Sequence, residues 1–246
     1  AAFSMFSDHW IGDDEAHSFW TKKRAVRYWA SYAETFGVTQ RIQFGADVAE
    51  TAQAESGDWQ ITLTSGELIK SRRLVVATGN NDVPTLPEWH GLATQIQTLH
   101  ARNYKNATAF AGKRVVVVGG GESASDIALE VSKVATQCWV SLRNGTGWVV
   151  PRMRNNIATD MSTHRGIWTL PRRFGSMVTT LIIKHDMRLA QTDPEMAALV
   201  ALNKSVPSPK GIWGTYGTKS FALPEAIANH NCCTVDGIAM VEDAGR

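Results

Sequence analysis

The clearest chemistry in this sequence lies in six residues, Gly119-Gly120-Gly121-Glu122-Ser123-Ala124, a G-x-G-x-x-A run. Each small residue has a separate task. Gly119 permits a sharp turn out of a strand, Gly121 lets backbone come within contact distance of a pyrophosphate, and Ala124 lets helix and strand pack closely. A helix starting at Glu122 and Ser123 would turn its free N–H groups and positive dipole end toward the phosphates. The pattern points to dinucleotide binding, and it carries weight because a strand precedes it and a helix follows. The alternative is a glycine turn with a purely structural role.

The end of the next strand distinguishes the two nicotinamide cofactors. An acidic residue there takes the ribose hydroxyls of NAD, and a basic one accommodates the 2′-phosphate of NADP. Here the strand ends Val140-Ser141-Leu142-Arg143, with no Asp or Glu, and Arg143 stands 24 positions after Gly119. Ser141 and Arg143 are therefore expected to form a phosphate site that selects NADPH; the competing reading makes Arg143 a solvated loop charge. A weaker signal is Ala77-Thr78-Gly79 at the end of the apolar run Leu74-Val75-Val76-Ala77. Small residues there let backbone approach a flat cofactor.

The elements that must position these residues follow from periodicity. Thr21 to Phe36 is predicted to be a helix, with Val26, Trp29, Ala30, Ala33 and Phe36 on one stripe and Gly37 as its stop. Ala46–Ala54, Trp59–Thr64 and Glu67–Lys70 read as an antiparallel meander turned by Gly57-Asp58 and Ser65-Gly66. Leu74–Ala77 reads as a short buried strand, followed by a linker containing Pro84 and Pro87. From Lys113 the pattern changes. Arg114–Val118 is a fully apolar strand, Glu122–Val134 a helix with Ala124, Ile127, Ala128 and Val131 inward, and Gln137–Leu142 the next strand. That is the building block of a parallel sheet. Pro171–Ala190 and Thr192–Lys204 are predicted helical, the second started by Thr192 with Pro194 and Glu195. The tail from Cys232 is strand-like around Gly237.

Composition excludes several classes. With 25 basic and 23 acidic residues among 246, there is no electrostatic case for nucleic acid or an anionic membrane. No apolar run approaches a membrane span, and no signal peptide is visible, which favours a cytoplasmic location. Cys138, Cys232 and Cys233 form no C-x-x-C, so zinc binding and dithiol exchange are not expected. No metal site is expected. No Tyr-x-x-x-Lys pair exists to support a simple alcohol dehydrogenase. His100, His164 and His230 have the plain reading of loop or structural histidines.

The chain resembles the flavin-containing monooxygenases, which transfer oxygen to nitrogen and sulfur. The resemblance rests on Met5-Phe6-Ser7-Asp8, Tyr28-Trp29-Ala30-Ser31-Tyr32-Ala33, Ala77-Thr78-Gly79, the run His100 to Tyr104, and above all Gly119-x-Gly121-x-Ser123-x-x-Asp126-Ile127-Ala128. The family's His followed four residues later by Tyr matches His100 and Tyr104, where the related Baeyer–Villiger enzymes usually carry Trp. The Phe and Gly that precede that His in the family are replaced by Thr94 and Ile96. The family's first Gly-rich turn for FAD and its last flavin-domain segment have no counterpart here, so the chain reads as an internal piece.

The resemblance implies an α/β fold: a Rossmann-like NADPH domain (109–246, with the start of the return to the FAD domain) inserted into a partial FAD domain with an antiparallel β-meander and a linker (1–108). It implies FAD and NADPH as cofactors, with Ala77, Thr78, Gly79, His100 and Tyr104 beside the nucleotide residues. It also implies oxygenation of a small amine or sulfide by molecular oxygen through a flavin hydroperoxide, with no acid–base pair. Two further readings stand beside it: a non-catalytic NADP(H)-binding remnant or regulatory module, and a Baeyer–Villiger-type monooxygenase.

Overall fold

In the computed structural model, residues 5–12, 18–79, 83–87, 96–143, 148–149, 151, 153–154, 157–158, 171–204, 217–218 and 220–241 are described. The chain divides into two units, Trp20–Pro84 and the combination of Ala1–Phe19 with Thr85–Arg246.

The unit Trp20–Pro84 opens with helix α1, Lys22–Thr35, started by Thr21, whose Oγ1 accepts from Arg24 N at 3.3 Å. It ends in a Schellman arrangement: Val38 N donates to Ala33 O, Gly37 N donates to Glu34 O, and Gly37 supplies the left-handed residue at φ +62°. Of the predicted stripe only Ala33 is partly buried. Tyr28 is buried and Arg24, Ala25, Tyr32 and Ala33 are partly so, whereas Val26, Trp29, Ala30 and Phe36 are exposed. The reason is local: the Trp20 ring closes on Tyr28 at 4.9 Å, which selects the neighbouring face about 100° round the helix.

The meander is present. Strands β1 (Val48–Gln53), β2 (Trp59–Leu63) and β3 (Leu68–Ser71) pair antiparallel in that order, with Thr51 opposite Ile61 and Ile61 opposite Ile69. The predicted buried strand Leu74–Ala77 is absent. Those residues join no ladder, and Val75 and Val76 are 85% and 74% exposed. A strand exists only through its partner, and no described strand lies alongside this one.

The other unit carries a parallel sheet. Strand β4 (Arg114–Val118), helix α2 (Glu122–Ser132) and strand β5 (Gln137–Leu142) form the expected strand–helix–strand unit. Helices α3 (Arg172–Leu189), α4 (Pro194–Lys204) and α5 (Ala222–Asn229) follow, then strand β6 (Cys232–Asp236). The sheet order is β6-β5-β4, all parallel, with Val117 in register with Val140 and Cys232 with Cys138. The fold is α/β. Its core is one cluster in which Val117, Val140 and Cys232 from the strands meet Ala128 and Val131 from α2, Leu199 from α4, and Leu223 and Ala226 from α5.

Two details differ from the expected pattern. Val116 and Val118 are about half exposed, because the packed helices cover only the face that carries Val117. Helix α4 is started by Asp193, whose Oδ1 accepts from Glu195 N and Met196 N, while Thr192 turns its hydroxyl back to Leu189 O. The strand-like tail is the third strand of this same sheet. No helix among the described residues is long and apolar enough to cross a membrane.

Candidate functional site

Parallel sheets of this kind bind ligands outside the carboxyl ends of their strands. Here those ends bring together Gly119, Arg143 and Gly237, which follow β4, β5 and β6. The chain leaves β4 at Gly119, whose φ of +114° disfavours any side chain and whose N–H donates to Ser141 O at 3.0 Å. A Cβ on Gly119 would lie 4.0 Å from the Ala124 methyl, so a larger residue at position 124 would press on the turn.

Gly121 caps the N-terminus of α2 at φ −85°, ψ −178°, an extended conformation open to any residue. Among the described residues, no atom beyond the adjoining backbone lies within 4 Å of the place a Cβ would occupy. No described neighbour demands glycine there; what it keeps clear is space in front of the helix N-terminus. Glu122 and Ser123 line the exposed first turn, and Ser125, buried behind it, donates both N–H and Oγ–H to Gly121 O at 3.0 Å.

The two residues expected to hold a 2′-phosphate separate. Ser141 is buried and its hydroxyl donates to Asp236 O at 3.0 Å, which ties β5 to β6 and removes that donor from a ligand. Arg143, just past the end of β5, is exposed.

His100 and Tyr104 are placed elsewhere. His100 Nδ1 accepts from Arg102 N at 3.1 Å at the head of a short turn, Ala101–Asn103. The Tyr104 hydroxyl donates to Glu130 Oε2 at 2.7 Å, and its ring stacks on Phe110. Burial, and then the Glu130 carboxylate, hold the phenol protonated well above the ordinary tyrosine range. Glu130 lies eight residues along α2 from Glu122, about 12 Å at 1.5 Å per residue. Tyr104 therefore braces the far end of the helix and is not at the glycine turn. Ala77, Thr78 and Gly79 are exposed in the unit Trp20–Pro84. His164 and Thr94 lie outside the described residues. His230 closes α5, its N–H donating to Ala226 O. Cys232, beside Cys138, is held as a thiol by that neighbour and by burial.

Sequence reasoning missed Ser220. Its wholly buried hydroxyl donates to Asp126 Oδ1 at 3.0 Å and accepts from Ala222 N at 3.2 Å, joining the first turns of α2 and α5. Only the spacing of Asp126 within the motif hinted at it; the partner is 94 residues away. Ser220→Ala should lower stability by about 1–3 kcal/mol, the cost of stranding such partners. Urea unfolding checks this, and an unchanged midpoint would show the bond to be incidental.

A sequence model of the family described as flavin-binding monooxygenase-like matches residues 2–206. The chain belongs to that family. Among curated members and relatives, a 4-hydroxybenzoate brominase (decarboxylating) from Pseudoalteromonas luteoviolacea is 30% identical over 188 residues, 72% of this chain and 36% of that protein. Dimethylaniline monooxygenase [N-oxide-forming] 2 from Mus musculus is 33% identical over 192 residues, 73% of this chain and 34% of that protein. The chain thus spans about a third of the length of these relatives. An open crystal structure of cyclohexanone monooxygenase superposes with a TM-score of 0.61 at 17% identity, covering 100% of this chain and 59% of that one. It shows that the family's fold is shared.

Proposed function

We propose that this chain holds NADPH at the carboxyl edge of its parallel sheet, as the nucleotide-binding part of a flavin-dependent monooxygenase. Residues 109–246 would be the NADPH domain and 1–108 part of the FAD domain. The whole protein would oxygenate soft nitrogen or sulfur atoms of small amines or sulfides, using FAD, NADPH and molecular oxygen. The observation that carries this reading is Gly121, a glycine that no described neighbour requires, at the mouth of a helix.

The residues present fit the nucleotide. Gly119 makes the turn and Gly121 leaves room for the pyrophosphate. The N–H groups of Glu122 and Ser123 donate to it, Ala124 lets the turn sit close to α2, and Arg143 takes the 2′-phosphate. Ser141 holds the strand end rather than the ligand, Tyr104 acts at a distance by bracing its segment against α2, and His100 caps the short turn before it. For a flavin the described residues offer less: the exposed segment Ala77-Thr78-Gly79. When bound, the nicotinamide supplies a hydride and the flavin activates oxygen; the chain's own contribution is to bind, orient and exclude water. Heteroatom oxygenation is supported by the N-oxide-forming relative and by Tyr104 in the motif. A cytoplasmic location agrees with three cysteines that are all free thiols.

A second reading is a module that binds NADP(H) without catalysis, since the geometry described belongs to the nucleotide turn. One preparation separates the two. Yellow protein that consumes NADPH and oxygen with a tertiary amine or thioether is the expected result for the monooxygenase. Colourless protein whose thermal midpoint rises with NADPH assigns the binding module. No shift with NADPH overturns both.

A further inference from the structure

Strand β6 ends in a glycine whose surroundings explain it. A Cβ built on Gly237 would lie 3.0 Å from Arg143 Cα, 3.4 Å from its Cβ and 3.5 Å from its Cγ. Its φ lies outside the left-handed range, so the backbone conformation does not require glycine; the approach of Arg143 does. The Ser141–Asp236 bond, one residue pair before, holds the two strands together at this point. Asp236 is in register with Leu142, which sets Gly237 beside Arg143.

We propose that Gly237 is a positioning residue for cofactor selection: its bare backbone forms the wall against which the stem of Arg143 lies, and so fixes where the guanidinium stands. This deepens the reading of Arg143 as the 2′-phosphate ligand and rests on it. A planar guanidinium binds phosphate through paired hydrogen bonds whose strength depends on direction. A methyl group at position 237 must displace the arginine stem by some tenths of an ångström, starting at its Cα, and that displacement reaches the charged end. Gly237 touches no cofactor atom itself in this account. The effect should appear only for the cofactor that carries the phosphate.

The test is a double-mutant cycle of Gly237→Ala and Arg143→Ala, with dissociation constants for NADPH and NADH measured by titration on the folded proteins. The expected result is that Gly237→Ala weakens NADPH roughly three- to tenfold, as sub-ångström misplacement does. NADH should be unchanged, and the effect should vanish when Arg143 is already Ala. If Arg143→Ala removes the NADPH preference while Gly237→Ala leaves it intact, the inference is wrong and the phosphate site stands. If Arg143→Ala does not alter the preference, the phosphate site itself is wrong and the inference falls with it. Should Gly237→Ala be too unstable to titrate, Arg143→Gly, which removes the side-chain contacts at 3.4 and 3.5 Å and frees the backbone at the 3.0 Å Cα to give way, must restore part of the lost thermal stability. No recovery overturns the contact.

Discussion

Gly121→Val is expected to weaken NADPH binding by roughly a hundredfold while leaving the sheet and its helices folded. The second half of that statement is what makes the first informative. At φ −85°, ψ −178° a β-branched residue is at ease, and the space a Cβ would enter holds no described atom beyond the adjoining backbone within 4 Å. The fold loses glycine's preference over valine at the N-cap, about 1 kcal/mol. A pyrophosphate placed against that backbone meets the whole isopropyl group. Its charge-assisted bonds to the helix N–H groups, each worth about 1.5–3 kcal/mol, are stretched beyond reach. Losing two of them at the lower figure, about 3 kcal/mol together, corresponds to roughly a hundredfold in affinity. Calorimetric titration with NADPH, beside a thermal unfolding curve, checks both halves. Undiminished affinity in a folded variant would remove the glycine turn as the nucleotide site.

Gly119 makes a useful contrast. Its φ of +114° means that a side chain there strains the backbone whether or not a ligand is present. The G-x-G pattern presents both glycines alike, yet one serves the chain and the other serves what the chain binds. Sequence alone could not separate them, since the difference lies in the neighbours of an atom that glycine lacks.

The same division runs through the rest of the molecule. The β4–α2–β5 unit was legible because its information is local: an apolar run, a turn and a 3.6-residue period within about 30 positions. The meander was legible for the same reason, through glycine turns between short β-prone runs. What failed depended on partners. Leu74–Ala77 has the composition of a buried strand but no described neighbour to pair with. The apolar stripe on α1 lost to the face that Trp20 covers. Helix α5, only eight residues long, is too short to show a period, and its link to the motif passes through Ser220, 94 residues from Asp126. In the site, Ser141 had the right type and position for a phosphate ligand. Only the pairing of β6 with β5, which supplies Asp236 O as acceptor, shows that its hydroxyl is already engaged.

That engagement concentrates cofactor selection on one residue, and Arg143→Glu should reverse it. The 2′-phosphate of NADPH carries close to two negative charges, whereas NADH presents a hydroxyl at the same place. Arginine at the end of β5 attracts the first; glutamate repels it and can accept a hydrogen bond from the second. Arg143 is exposed, so its pairing with the phosphate contributes about 1 kcal/mol rather than the several of a buried pair. Repulsion from the new carboxylate adds to the loss. The expected outcome is NADPH weakened on the order of tenfold, with NADH held equally well or better. Because the site is open to water, the NADPH penalty should shrink as salt rises, the Debye length falling from about 10 Å at 0.1 M to about 3 Å at 1 M. Dissociation constants for both cofactors at the two salt concentrations test this. A penalty indifferent to salt would mean that the substitution acts through packing against Gly237 rather than through charge. An unchanged preference would place the phosphate away from the end of β5 altogether.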